Sequence, residues 1–203
     1  MNGHLRPSSI QETWTRCWVR FNEHSDLEGA HAFLSASKGT WVEYTPEKLE
    51  SVYTSRLAIL RGTELHELAA KLINMKIKLP RSKKTLNMYV NDAIGFRMRP
   101  EVVVAYSPMA FGTADAISFR DGMLRIHDLK TGSHPANMRQ LRIYMAFFCL
   151  EYRVHPGNID AELRIYQNDE IRSERPEVEE ILRLMGITEE HSAHLERLRG
   201  HYE

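Results

Sequence analysis

Hydrophobic and polar positions along the chain change period near residue 98. Before it, apolar residues recur at helical spacing. In "SSIQETWTRCWVRFNEH", Ser8 and Ser9 are capping-type residues, and Ile10, Trp14, Cys17, Trp18 and Phe21 follow as one face of a helix. In "TPEKLESVYTSRLAILRGTELHELAAKLINMKI", Thr45 can cap and Pro46 can take the first helical position. That pattern predicts a helix running to about Ile77, interrupted near Gly62. "PRSKK" breaks it, and a weaker helical stretch covers roughly Thr85 to Phe96.

The texture then turns to alternation. "EVVVAYSP", "AFGTADAISF" and "MLRIHDL" read as three strands, with Asp121-Gly122 as a hairpin turn between the second and third. "MRQLRIYMAFFCLEY" is an amphipathic helix, "AELRIYQND" a strand, and two short acidic helices are expected to the end. The order predicts an α/β (α+β) fold, a mixed sheet with a three-strand meander flanked by helices. We expect one domain over 1–203: a helical part to about 98, a sheet core over about 99–168 and C-terminal helices over about 174–203.

Composition changes this picture little. Hydrophobic residues make up 42% and charged residues 27%, with zero formal net charge, so overall charge selects no polyanionic partner. Its distribution is less even. Lys71, Lys76, Lys78, Arg81, Lys83, Lys84, Arg97 and Arg99 face the single acid Asp92, which suits a local phosphate-binding surface or a solvated helix and loop equally. Cys17 and Cys149 make neither a disulfide framework nor a CxxC metal site. Reduced thiols, no signal pattern and no apolar run of spanning length lead us to expect a cytoplasmic protein without a membrane partner.

The chemistry concentrates in "HDLKTG". Asp128 and Lys130 share one face of a strand, with His127 and Leu129 on the other as packing residues. Reflection through the Asp121-Gly122 turn brings Asp115 to within a residue or two of Asp128. Two carboxylates so close repel unless a proton or cation lies between them. Oxygen ligands with open positions suit Mg²⁺ or Mn²⁺, and a lysine beside the cation can position a water or take its proton, as phosphodiester cleavage requires. A plain cross-strand Asp–Lys pair satisfies the same spacing, and spacing alone leaves both open.

"GTADAI" followed by "DLKTG" resembles the G-x-x-D and D-x-K motifs of the PD-(D/E)XK nuclease superfamily, and the chain is most similar to its RecB-like and lambda-exonuclease-like branch. His66 in "RGTELHELA", Gln140 and Tyr144 as Q-x-x-x-Y, and the N-terminal Ser8, Ser9, Cys17 and Phe21 extend the resemblance in the correct order. It implies a restriction-endonuclease-like core. It further implies Mg²⁺ or Mn²⁺ held by His66, Asp115, Asp128 and the Leu129 carbonyl, with Glu101 as a further acid. Lys130 would be the catalytic lysine, and Gln140 and Tyr144 would position the DNA strand or the lysine.

The implied activity is hydrolysis of DNA, as an exonuclease in phage or bacterial recombination, repair or degradation. DNA ends would be the partner, alongside a homo-oligomer or a recombination or repair protein, in a bacterial cell or a phage-infected host. Lys76, Lys78, Arg81, Lys83 and Lys84 would track phosphates, while Trp14, Trp18 and Trp41 either stack on frayed bases or pack in the core. Some members bind an iron–sulfur cluster through four cysteines. Here only Cys149 follows Cys17, so no cluster is expected. No GxxxxGK[ST] is present, so the resemblance implies a nuclease outside a translocating motor. A site-specific or structure-specific endonuclease, or a catalytically silent DNA-binding protein on the same fold, are the alternatives. Glu64, Glu67, His191 and His194 read as solvated helix residues.

Overall fold

A computed structural model describes residues 22–200. The expected first helix, with Ser8, Ser9, Ile10, Trp14, Cys17, Trp18 and Phe21, lies outside the described residues. The chain divides into two compact units between Tyr53 and Thr54.

In the first unit, 3-10 turns cover Ser25–Leu27 and Ala36–Glu43. Trp41 is half-buried, and its indole N–H donates to the Ser35 carbonyl at 2.9 Å. Helix α1, Pro46–Met75, begins here. Thr45 Oγ1 accepts the Lys48 N–H at 3.3 Å, satisfying one of the free donors of the first turn.

The second unit is built on a five-stranded sheet whose strands lie side by side in chain order. Strands β1 (Arg99–Ser107), β2 (Ala110–Arg120) and β3 (Met123–Leu129) form an antiparallel meander, as the alternating pattern predicts. The helix expected after "KTGSHPAN" is α3 (Arg139–Tyr152), which crosses over to β4 (Asp160–Gln167), parallel to β3. The sheet is therefore mixed. On one face, α3 and α4 (Val178–Arg199) cover Val104, Leu124, Ile126, Leu163 and Ile165. On the other, Ala69 and Ile73 of α1 and Tyr89, Val90 and Ala93 of α2 (Thr85–Gly95) cover Ala116, Leu129 and Tyr166. No helix among the described residues is long and apolar enough to cross a membrane.

Two expectations need correction. Helix α1 does not break at Gly62, because the glycine is used there for a close approach rather than a bend. After β4 come a fifth strand, β5 (Glu170–Glu174), and one helix in place of two short ones. Asn168 and Asp169, with φ of 51° and 61°, make a tight left-handed turn that folds β5 back on β4. Because β5 is an exposed edge strand, it carries no apolar alternation to reveal it. Asp169 has a further role. Its Oδ1 accepts the Thr85 N–H at 2.8 Å, so the turn caps the start of α2 from a distance in sequence.

Helices α1, α2 and α3 each give way to a basic residue in the left-handed region: Lys76 (φ 57°), Arg97 (φ 54°) and Arg153 (φ 53°). Their charge suits the carbonyl end of a helix, but a Cβ in this conformation costs about 1–2 kcal/mol. Arg153 makes no ion pair among the described residues. Arg153→Gly should therefore raise the unfolding free energy by about 1 kcal/mol, read from urea midpoints at constant m.

Candidate metal centre and its lysine

Helix α1 approaches the sheet closely at Gly62, where an added Cβ would stand 2.8 Å from Thr131 Oγ1. The helix thus lies against the loop that follows Lys130, and about one turn further on it carries His66 to β2. His66 Nδ1 is 3.4 Å from Asp115 Oδ2, and the same oxygen accepts the Leu129 N–H at 2.8 Å. Ligand atoms of His66, Glu101 and Asp115 all lie within 4.8 Å of one another.

The strands that supply the two acids switch face at this point. Ala114 and Ile117 pack in the cluster under α3 and Ala116 in the cluster under α2, whereas strict alternation would group 114 with 116. The change falls at Asp115, opposite Glu101, whose φ is 50°. Other left-handed non-glycine residues among the described residues sit in turns or just past helices, and Glu101 alone lies inside a strand. Such a conformation costs on the order of 1–3 kcal/mol, held here at the cluster.

Asp128 lies beside this trio and is 2% exposed. Its Oδ1 accepts from Lys130 Nζ at 3.0 Å, and its Oδ2 is buried with no partner. Burial and the neighbouring Asp115 charge push its pKa up to about 6, against the pull of Lys130 and His66. Burial and Asp115 likewise raise Glu101. The hydrogen bond to Asp115 makes His66 more basic than usual, outweighing burial. Crowded carboxylates, an imidazole and an orphaned buried oxygen form a donor set that fits a hard divalent cation. Leu129, whose carbonyl the resemblance adds to that set, is tied to Asp115 through its N–H.

Lys130 is held from its other side as well. Nζ donates to Gln140 Oε1 at 2.9 Å, Gln140 Nε2 to Tyr144 Oη at 3.0 Å, and Tyr144 Oη to the Thr113 carbonyl at 2.7 Å. Gln140 and Tyr144, four apart on α3, thus tie the lysine back to β2. Gly112 makes room for this chain, since a Cβ there would meet Tyr144 Cε1 at 2.7 Å. A cavity of about 590 Å³ opens beside Lys130, walled by Phe111, Ile143, Tyr144 and Phe147, with Arg139 in its lining.

Sequence reasoning missed a second buried polar group behind β3. His127 is fully buried, with Nδ1 3.2 Å from Tyr166 Oη. Tyr166 donates to Asp92 Oδ2 at 2.7 Å, so His127 is the donor in their bond and its Nε2 carries a lone pair without a partner. Arg164 bonds both Asp92 (3.0 Å) and Glu162 (2.8 Å), and the Arg125 and Arg164 guanidiniums lie 4.6 and 5.0 Å from the Phe96 ring centre. Burial, then the two arginines, press the His127 pKa down to about 3. The only available sequence signal was a lone acid, Asp92, in a basic stretch.

Lys76, Lys78, Arg81, Lys83 and Lys84 are exposed. Their loop is pinned to α2, where the Asn91 side chain bonds both the N–H and the carbonyl of Leu79 at 2.9 Å. Glu64, Glu67, His191 and His194 are exposed. Cys149 is buried in α3, and burial pushes its thiol up to about 11. The chain matches no protein-family model, no curated protein and no solved structure.

Proposed function

We propose that the chain is a divalent-metal-dependent deoxyribonuclease with a restriction-endonuclease-like core, acting as an exonuclease in DNA recombination, repair or degradation. The observation that carries this reading is the convergence of His66, Glu101 and Asp115 beside an Asp128 whose second oxygen is buried and unpartnered, next to a lysine fixed by two acceptors. His66, Asp115, Asp128 and Glu101 would hold Mg²⁺ or Mn²⁺. When bound, the cation supplies Lewis-acid polarisation of a phosphodiester oxygen and offsets the charge that develops there.

The chain's own residues supply orientation and proton handling. Lys130 directs its ammonium protons at the rim of the cluster, and Gln140 and Tyr144 restrict where it can point. A nucleic-acid strand entering the cavity beside Lys130 meets Phe111 and Phe147 as apolar walls and Arg139 as a phosphate partner. The exposed Lys76–Lys84 segment offers further phosphate contacts.

End-labelled linear single- and double-stranded DNA and a covalently closed circle test this in Mg²⁺ and in chelator. Linear DNA should be degraded only with metal, the circle should survive, and Asp115→Asn should remove activity. Equal degradation by wild type and Asp115→Asn would sink the proposal, and a nicked or linearised circle would turn it toward an endonuclease. Gly112→Ala should slow cleavage on the order of 10²-fold by displacing Tyr144 and loosening the lysine, with Mn²⁺ affinity nearly unchanged by calorimetry.

A further inference from the structure

Apart from the lysine and its cluster, a second cavity of about 420 Å³ opens between the first half of β1, the last half of β2 and the end of α3. Its volume falls in the range of small-ligand sites, about 300–1,000 Å³. The floor is apolar, from Val102, Val104 and Ile117. One wall is a run of aromatic rings. Phe119 and Phe148 have centroids 5.3 Å apart, and Phe148 and Tyr152 4.8 Å apart. Phe148 is buried in the core, whereas Phe119 and Tyr152 are 44% and 57% exposed, so the run presents ring surface to solvent rather than closing on itself.

The remaining lining is cationic. Arg97, Arg99 and Arg120 come from the α2–β1 turn, the start of β1 and the end of β2, and converge on this one cavity. Among the described residues none of the three has an ion pair, and no carboxylate lines the cavity. By contrast, Arg142 on α3 is matched by Glu174, Arg125 on β3 by Glu162, and Arg164 on β4 by Asp92 and Glu162. Three unmatched guanidiniums around an aromatic recess call for a ligand that is anionic at one end and flat and apolar at the other.

We propose that this cavity binds a nucleotide unit, with its phosphate on Arg97, Arg99 and Arg120 and its base against Phe119 and Tyr152. A guanidinium fork matches phosphate oxygens two at a time, and a purine or pyrimidine offers the ring face that an aromatic wall takes without regard to sequence. The ligand is a free nucleoside monophosphate or the phosphorylated end of a short strand, which share this chemistry. The site stands on its own lining and does not depend on the metal centre.

Calorimetry on the full chain in chelator, which silences the cation cluster, tests the proposal. AMP should bind at least tenfold more tightly than inorganic phosphate or adenosine alone. The double substitution Arg99→Gln with Arg120→Gln, both at exposed positions, should weaken AMP at least tenfold. Tyr152→Leu should weaken AMP several-fold and leave inorganic phosphate unchanged. A 5′-phosphorylated oligothymidylate tetramer binding more tightly than AMP would identify a strand end as the ligand, and the reverse order a free nucleotide. Equal affinity for AMP and phosphate would overturn the proposal, as would AMP binding that survives the double substitution and disappears in Lys130→Ala. An acidic, phenylalanine-containing peptide that binds where AMP does not would overturn it in favour of a protein partner. Loss of DNA cleavage in Asp115→Asn bears only on the nuclease reading, so the two can fail separately.

Discussion

Lys130→Met should degrade linear DNA about 10³-fold more slowly than the unsubstituted protein and still bind Mn²⁺. The rate estimate follows from the contribution of a positioned proton-handling group, about 10²–10⁴-fold. Binding should survive because the ammonium stands outside the trio of His66, Glu101 and Asp115, touching Asp128 through Oδ1 alone. Its removal takes a positive charge away from the place where a cation would sit, so Mn²⁺ affinity at pH 8 should hold or rise. Single-turnover digestion and calorimetry on the same preparation separate the two effects. If the variant binds Mn²⁺ as before and cleaves at the original rate, Lys130 serves only to neutralise Asp128, the plain Asp–Lys pair that spacing alone allows.

His127→Leu should make the protein markedly less sensitive to acid. In the folded chain His127 stays neutral down to about pH 3, while an unfolded histidine takes its proton near pH 6.5. Between those values the unfolded state binds a proton that the folded state refuses, so stability falls as pH drops through the window. At about 1.4 kcal/mol per pH unit this amounts to a loss on the order of 4 kcal/mol by pH 3. Asp128 acts in the opposite sense. Its pKa of about 6 lets the folded state accept a proton before the unfolded chain does, which adds stability as pH falls toward the ordinary carboxylate range. Without His127, carboxylates such as Glu162, held low against its burial by Arg164 and Arg125, still cost stability as pH falls. The loss from pH 6 to pH 4 should therefore be smaller than in the unsubstituted protein by about 2–3 kcal/mol. Urea titrations in chelator at unit pH steps would read this, and parallel acid losses in both proteins would rule out His127 as their source.

The sheet was legible because its strands carry both kinds of information a single chain displays. The meander has alternation within strands and an Asp-Gly pair between them, and α3 has a dense apolar face. Strand β5 had neither, since one exposed edge needs no apolar partner face. The meeting of Asp115 with Asp128 follows from hairpin symmetry, and Gln140 and Tyr144 from helical spacing. What lay beyond reach were contacts set by tertiary approach: Gly62 against Thr131, Gly112 under Tyr144, and the Asp169 carboxylate on Thr85. Gly62 shows why, since in sequence a glycine that breaks a helix and one that lets a helix come close are the same letter. Glu101 was visible only as an acid on the first strand, and its backbone conformation had no sequence signal.

That conformation makes Glu101 a point where folding and the cluster want different residues. Glycine would occupy the left-handed strand position without strain, and would also remove a carboxylate from an already crowded neighbourhood. A population of variants chosen only for resistance to heat should therefore drift toward glycine at 101, gaining robustness while losing grip on divalent cations. A population chosen for work at the cluster should keep the glutamate and tolerate a lower melting point. Under the proposed metal site, the strained residue would trade durability for a charge at the cluster.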